Sequence, residues 1–278
     1  MILDDITVVI TTFKSDKKIR KCLDSIDSKC KVIIVENSSN QIFKNEIEKS
    51  YSNVSCIIAN NNLGYSRSNN IALKKVSSKY SLILNPDTVL EKDTLKNFIL
   101  ATKNNDNFAI LGPLLYQGKN YSLSTLKQIE VDNLKGFAMF LNMKKFDKIG
   151  FFDENFFLYF EEIDLCKRVK NINEKIYIDP TIKIFHKGGS SVDDSLKDQI
   201  DLTKNWHWMW STFYYHKKHK NLIIALIIIF PKLISSIFKI LFFSITFNTK
   251  RRKIYFQRFS GIMNSILGKN SWYRPTLD

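Results

Sequence analysis

Short apolar, β-branched runs alternate along the first part of the chain with segments whose apolar positions recur every three or four residues. ITVVITT (Ile6–Thr12) and KVIIVE (Lys31–Glu36) read as buried strands, as do residues 54–60, 80–85 and 108–112. Between them, Ile19, Cys22, Leu23 and Ile26 keep helical spacing within 15–28, and Gln41–Ser50, 66–76 and 94–103 are the other predicted helices. Strands and helices alternating at this short interval predict an α/β fold, with a mostly parallel central sheet and helices on both faces. Beyond Gly112 the stretches are longer and less regular. Residues 135–142 read as a strand and Met143–Ile149 as a short helix. An aromatic run, FFDENFFLYF, then leads into the acids Glu161, Glu162 and Asp164. Residues 175–179 read as a strand ended by Pro180, and His186 sits at the next strand end, before two glycines.

In sheets of this kind ligands bind beyond the carboxyl ends of the strands. Those ends carry Thr11 and Thr12, Glu36 and Asn37, the run from Asn60 to Gly64, and Asn85 to Asp87. Nearly all are polar or glycine, which suggests a binding cleft, although polar residues also end strands simply as turn formers. There is no GxGxxG and no GxxxxGK[ST], against a dinucleotide-type Rossmann site and a P-loop. A diphosphate in this cleft would need its charge met by Arg67, by a metal on Asp87, or by both. Glu161, Glu162 and Asp164 stand where the chain turns helical, and acids favour a first helical turn on electrostatic grounds alone. Asp164 and Arg168, four apart, can pair along one helix face.

At 278 residues the chain has room for one ordinary domain, 1–200, and an appendage, 201–278. Asp4 and Asp5 interrupt any apolar leader before the first strand, against a signal peptide. Cys22, Cys30, Cys56 and Cys166 show no CxxC spacing, against a zinc site or a disulfide framework, and suit a reducing cytosol. Of the net charge of +15, +11 falls from Asp201 onward. There, Trp206, Trp208, Trp210, Tyr214 and Tyr215 precede a long apolar run interrupted by Pro231, Lys232 and Lys239, and a basic cluster at 250–253 follows. Lys232, Ser235, Ser236, Lys239 and Thr246 form one polar stripe on an otherwise apolar helix. The pattern predicts a helix lying in a membrane interface, with tryptophans at headgroup level and lysines on anionic lipid. A buried helical subdomain, or the interface of a homodimer, is the alternative. So long an aliphatic run has no use on a phosphate backbone, which argues against nucleic acid. A tail of this kind is expected to be separable from turnover.

Several ordered pieces, VVITTF, VIIVENSS, NNLGYSRSNNIAL, LILNPD, GFAMFLNMKKFDKIGFFDENFFLYFEEIDLCKR and HKGGSS, span residues 6–191. In this order and spacing they resemble family 2 glycosyltransferases of the GT-A fold, and among these the bacterial rhamnosyltransferases of surface-polysaccharide synthesis. The resemblance implies that Thr11, Thr12, Glu36 and Asn37 hold the base and ribose of a nucleotide. It sets Gly64 and Arg67 beside the ribose and diphosphate, and Gly136 and Phe160 on the acceptor side. LNPD matches a DxD-type element, with Asn85 in place of the first acid. Asp87, joined by His186, would hold Mg²⁺ or Mn²⁺, weakly without nucleotide. Glu161–Glu162 match an acidic pair whose second member is the base, and Glu161 and Asp164 remain open for that role. The implied reaction is an inverting, single-displacement transfer from a nucleotide sugar to a lipid-linked glycan, for polysaccharide, O-antigen or capsule synthesis. The implied donor is dTDP-L-rhamnose, with a UDP-sugar as the alternative. The implied location is peripheral, on the cytoplasmic face of the cell membrane. A non-catalytic nucleotide-sugar-binding or scaffold protein is the rival reading.

Overall fold

The computed structural model describes residues 3–116, 127–186, 188 and 194–275. In chain order the elements are β1 (Ile6–Thr12), α1 (Asp16–Asp24), β2 (Lys31–Glu36), α2 (Gln41–Ser50), β3 (Val54–Ile58), α3 (Gly64–Leu73), β4 (Tyr80–Leu84), β5 (Thr88–Leu90) and α4 (Thr94–Asn104). Then follow β6 (Ile110–Tyr116), β7 (Ile129–Glu130), β8 (Ala138–Asn142), α5 (Met143–Ile149), α6 (Glu161–Asn171) and β9 (Ile176–His186). The last three are α7 (Lys197–His219), α8 (Leu222–Ile245) and α9 (Thr249–Ile266). The chain forms two compact units, one of Met1–Phe152 with Glu162–Asp193, the other of Asp153–Glu161 with Asp194–Asp278.

The first unit is built on a sheet of order β3-β2-β1-β4-β8-β6-β9-β5, with β7 added against β9. β3, β2, β1 and β4 run parallel, and the other half is mixed, parallel only at β6–β9. Val8 and Ile10 of β1 enter one core with side chains of α1, α2 and α4, and Val9 enters a second core with α3, α5 and α6. Burial on both faces explains why the first strands read as unbroken apolar runs. The four cysteines are free and buried.

Most expected boundaries shift by a few residues, β6 for instance running to Tyr116, and one expected strand end is absent. Pro180 does not end a strand, because β9 continues to His186. Its pairing with β6 jumps from Pro113↔Asp179 to Leu114↔Lys183, so residues 180–182 bulge out of the ladder. A bulge accommodates the missing proline N–H, and Asp179 Oδ1 closes it by accepting from Thr181 N at 2.9 Å and Thr181 Oγ1 at 2.6 Å. The continued strand pairs His186 with Thr88 of β5. Of HKGGSS, Lys187, Gly189, Ser190 and Ser191 lie outside the described residues.

The second unit is a packing of α7, α8 and α9 with the irregular loop that precedes α6. Trp206 and Trp210, expected to meet lipid headgroups, are buried inside this unit, whereas Trp208 and Trp272 are exposed. α8 runs unbroken through Pro231 and is long and apolar enough to cross a membrane. Its polar stripe does not face outward as a whole. Ser236 is buried, and Lys239 turns onto Tyr255, 3.2 Å from its hydroxyl and 4.7 Å from its ring centre. Ala225, Ile229 and Phe243 share this inner face, so the outward one is apolar, with Ile227 65%, Phe238 67% and Ile245 76% exposed.

α9 approaches α7 closely because Gly261 presents no side chain there. A Cβ on Gly261 would press on the backbone carbonyl of Trp206. Gly261→Ala is therefore expected to destabilise this unit by about 1–3 kcal/mol, since backbone yields less readily than a side chain. Denaturant unfolding followed by tryptophan fluorescence checks this. An unchanged midpoint would show that the helices part without strain.

Candidate active site

The site residues of the first unit gather where β1, β2 and β4 end. Asn37 ties the ends of β1 and β2 to the start of α3. Its backbone N–H donates to the Thr12 carbonyl at 2.9 Å, and its Nδ2 to the same oxygen at 3.2 Å. Its Oδ1 accepts from Leu63 N at 3.1 Å and Ser68 Oγ at 2.7 Å, at the start of α3. Glu36 is equally engaged, accepting from Ser38 N and Asn40 N at 2.8 Å each and from the Ser38 hydroxyl. Both side chains thus fix the backbone around the ends of β1 and β2. Thr11 Oγ1 and Thr12 Oγ1 differ, being buried without a hydrogen-bond partner among the described residues. Asp16, not singled out from sequence, lies near Glu36, and its carboxyl is raised above the ordinary range by burial and then by the Glu36 charge.

α3 opens at Gly64, whose φ of +79° favours glycine in so tight a turn. Arg67 stands exposed in the first turn, where helix N–H groups also favour an anion. The inner side of α3 is polar although buried. Ser66 Oγ and Asn69 Oδ1 lack partners among the described residues. Asn70 bonds the backbone of Phe152 both ways, at 2.9 and 3.0 Å, and Tyr65 donates to the Gly136 carbonyl. Tyr65 and Asn70 carried no signal in the sequence, because their partners lie 71 and 82 residues away.

Asn85–Pro86–Asp87–Thr88 is a tight turn, Thr88 N donating to the Asn85 carbonyl at 3.2 Å. The β5–β9 register then brings His186 to it. His186 Nε2 lies 3.4 Å from Asp87 Oδ1, and its ring stacks on Phe137 at 4.6 Å. No hydrogen-bond geometry satisfies His186 Nε2 among the described residues. Among these residues no three His, Cys, Asp or Glu side chains converge. An oxygen and a nitrogen donor side by side nevertheless fit a divalent ion whose remaining ligands are phosphate oxygens and water.

The three candidate acids differ. Asp164 is fully buried and paired with Arg168 at 2.9 Å. Arg168 also donates to the carbonyls of Ile149 at 2.8 Å and Gly150 at 3.2 Å, and to that of Phe151, so this pair holds the chain before the aromatic run. Glu162 Oε2 is buried without a partner among the described residues. Burial raises its carboxyl above the usual range, against the lowering pull of the Glu162 and Ile163 N–H groups and of Lys135. Gly136 lies beside Glu162, where a Cβ would make ordinary contact at 3.5 Å. Glu161 is buried at the start of α6. Phe160 belongs to the second unit, packed on Trp208 at 5.5 Å and Tyr215 at 5.2 Å.

Among known proteins, the low-salt glycan biosynthesis hexosyltransferase Agl10 of Haloferax volcanii is 24% identical over 205 residues, 63% of this chain and 64% of that one. The match thus spans just under two thirds of that relative's length. The rhamnosyltransferase WbbL of Escherichia coli K12 is 23% identical over 219 residues, 64% of this chain and 82% of its own. Among solved structures, residues 1–349 of S. aureus TarS align with a TM-score of 0.56 and 16% identity, covering 97% of this chain and 93% of that one. The mannosyltransferase PcManGT from Pyrobaculum calidifontis aligns with a TM-score of 0.59 and 11% identity, covering 96% and 88%. At these identities the structural likeness shows the fold, a GT-A-like mixed sheet flanked by helices. The family description "Glycosyl transferase family 2" matches residues 7–166, which take in the strand ends, the Asn85–Asp87 turn and Glu162. With more than half of its length so matched, the chain belongs to glycosyl transferase family 2.

Proposed function

We propose that this protein transfers a sugar from a nucleotide diphosphate donor to a hydroxyl of a lipid-linked glycan, by one inverting displacement. The observation that carries the reading is a set of buried polar atoms without hydrogen-bond partners among the described residues: Thr11 Oγ1, Thr12 Oγ1, Ser66 Oγ, Asn69 Oδ1, His186 Nε2 and Glu162 Oε2. Buried polar groups are nearly always paired, so unpartnered atoms at the ends of β1 and β9, along α3 and in the first turn of α6 are what a polar ligand would complete. The threonine hydroxyls take the nucleoside, beside backbone that Glu36 and Asn37 fix. The α3 N-terminus and Arg67 face the diphosphate. Asp87 and His186 would hold Mg²⁺ or Mn²⁺, whose charge offsets that gathering on the leaving diphosphate. Glu162 accepts the acceptor's proton as its oxygen bonds the anomeric carbon and the bond from that carbon to the diphosphate oxygen breaks. Gly136, and separately Phe160 in the other unit, are the proposed acceptor contacts.

The likeness to the rhamnosyltransferase WbbL supports a rhamnosyl donor; we propose dTDP-L-rhamnose, used in O-antigen or capsule synthesis, with a UDP-sugar as the alternative. In this reading residues 1–200 carry the transfer and residues 201–278 are the membrane-associating tail. The apolar outer face of α8 and the exposed Arg251, Arg252 and Lys253 support peripheral binding to anionic lipid on the cytoplasmic face of the membrane. Asn85, where an acid is expected, favours the second reading, a non-catalytic nucleotide-sugar-binding protein.

A donor panel separates these readings. Nucleotide release from one donor, stimulated by a polyprenyl-diphosphate-linked sugar, is the expected result. Tight nucleotide binding without turnover of any donor would favour the second reading. Flotation with phosphatidylglycerol vesicles tests the tail. Changing Arg251, Arg252 and Lys253 to Gln should weaken binding by about 1 kcal/mol per charge, in a salt-dependent way. A stable dimer that ignores vesicles would put a second copy on the α8 face instead.

A further inference from the structure

The loop that runs into the two glutamates has no helix or ladder of its own, so its backbone groups need partners from elsewhere. Its last two residues before Glu161, Tyr159 and Phe160, have φ of +70° and +69°. Consecutive non-glycine residues in that region persist only where the surroundings hold them. Part of the hold comes from α7. Ser211 Oγ donates to the Leu158 carbonyl at 3.0 Å, Tyr214 Oη donates to Asp153 Oδ2 at 3.0 Å, and Lys218 Nζ pairs with the same carboxylate at 2.7 Å.

The rest comes from the end of the chain. Ser271 Oγ donates to the Asn155 carbonyl at 2.6 Å. The Arg274 guanidinium lies 3.7 Å from the centre of the Phe157 ring, on which His207 also stacks at 4.4 Å. This terminal segment is itself pinned. Trp210 Nε1 donates to the Lys269 carbonyl at 2.9 Å, and His207 Nε2 to that of Tyr273 at 2.8 Å. Burial lowers His207 to about 3, so it stays neutral in this contact with the Arg274 charge nearby. Neither donor binding nor lipid binding calls for Ser271 or Arg274 to grip this loop.

We infer that residues 269–275 form a strap that fixes the loop Asp153–Glu161 and, through it, the direction of the carboxylates at its end. Ser271 and Arg274 are then positioning residues for the base, and the tail is not separable from turnover. The inference rests on the proposed role of Glu162, but the two can fail separately. The test is the full-length Ser271→Ala/Arg274→Ala double variant, measured three ways. Amide hydrogen exchange across 153–163 should quicken at least ~10-fold while that of α3 and α7 is unchanged. Donor kcat should fall about 10-fold with donor KM and UDP or dTDP affinity within about twofold. Arg274→Lys, alone, should retain most of the activity that Arg274→Ala loses, because it keeps a cation over Phe157. Unchanged exchange overturns the strap. Faster exchange with unchanged kcat overturns the positioning role, as does an equal loss of kcat and nucleotide affinity with α3 loosened. Glu162→Gln, assayed alongside, tests the base independently of the exchange result.

Discussion

Glu162→Gln is expected to lower kcat by at least ~10²-fold while leaving UDP or dTDP affinity nearly unchanged. Glutamine keeps the shape and the hydrogen-bonding reach of the side chain and removes only its capacity to take a proton. The structure sets Glu162 apart from Asp164. Asp164 is engaged by Arg168 at 2.9 Å, whereas Glu162 Oε2 is buried without a hydrogen bond among the described residues. Burial favours the protonated acid and raises its pKa. The base works as the carboxylate, so the rate should climb with pH through a value above the ordinary glutamate range and then level off. That rise should vanish in Glu162→Gln. Glu161→Gln should be milder, or act on acceptor KM. A severe loss in Glu161→Gln with Glu162→Gln near normal would move the base one residue back, and loss in neither would remove this stretch from the chemistry.

What could be read beforehand was whatever depends on local pattern. β1 and β2 were legible to the residue because a strand buried on both faces is a continuous apolar run between polar stops. Pro180 misled because the rule that proline ends a strand is local, while the bulge that absorbs it needs Asp179 and the β6 ladder. His186 and Asp87 come together for the same nonlocal reason, a register between β5 and β9 that no spacing announces. Tyr65 and Asn70 do their work through partners distant in sequence and looked like ordinary helix residues.

The tail shows the limit of periodicity. A polar stripe on α8 was evident, but a helical pattern cannot say whether its minority face meets water or other helices. Lys239 and Ser236 face α9 and the helix's own turn, and the apolar majority is left outward. The tryptophans at 206 and 210 read as a membrane belt by composition, yet their indole N–H groups reach Ser260 Oγ and the Lys269 carbonyl inside the unit. Nor did the aromatic run disclose its company. Phe156, Phe157 and Phe160 lead into the acids in sequence, and each packs on an α7 side chain, Tyr214, His207 and Trp208 in turn.

Asp87→Ala is expected to lower kcat/KM at least ~10²-fold and to abolish the Mn²⁺-dependent part of nucleotide affinity. With Asn85 neutral, Asp87 and His186 are the paired protein donors at the Asn85–Asp87 turn, and only Asp87 brings a negative charge. A metal held by so few protein ligands would depend on the nucleotide phosphates to complete its shell, so each ligand removed should weaken metal and nucleotide together. The loss should not be one of folding. His186 keeps its stack on Phe137, and the Thr88–Asn85 turn bond is made by backbone that the substitution leaves in place. Thermal unfolding of the variant should therefore stay close to that of the parent. Asn85→Asp tests the same logic in reverse, since a second carboxylate should tighten Mn²⁺ binding in the presence of UDP or dTDP. Titrating each nucleotide with and without Mn²⁺, for both variants, reads these effects directly. Near-normal turnover of Asp87→Ala in the presence of a chelator would mean that Arg67 and the α3 N-terminus carry the diphosphate without an ion.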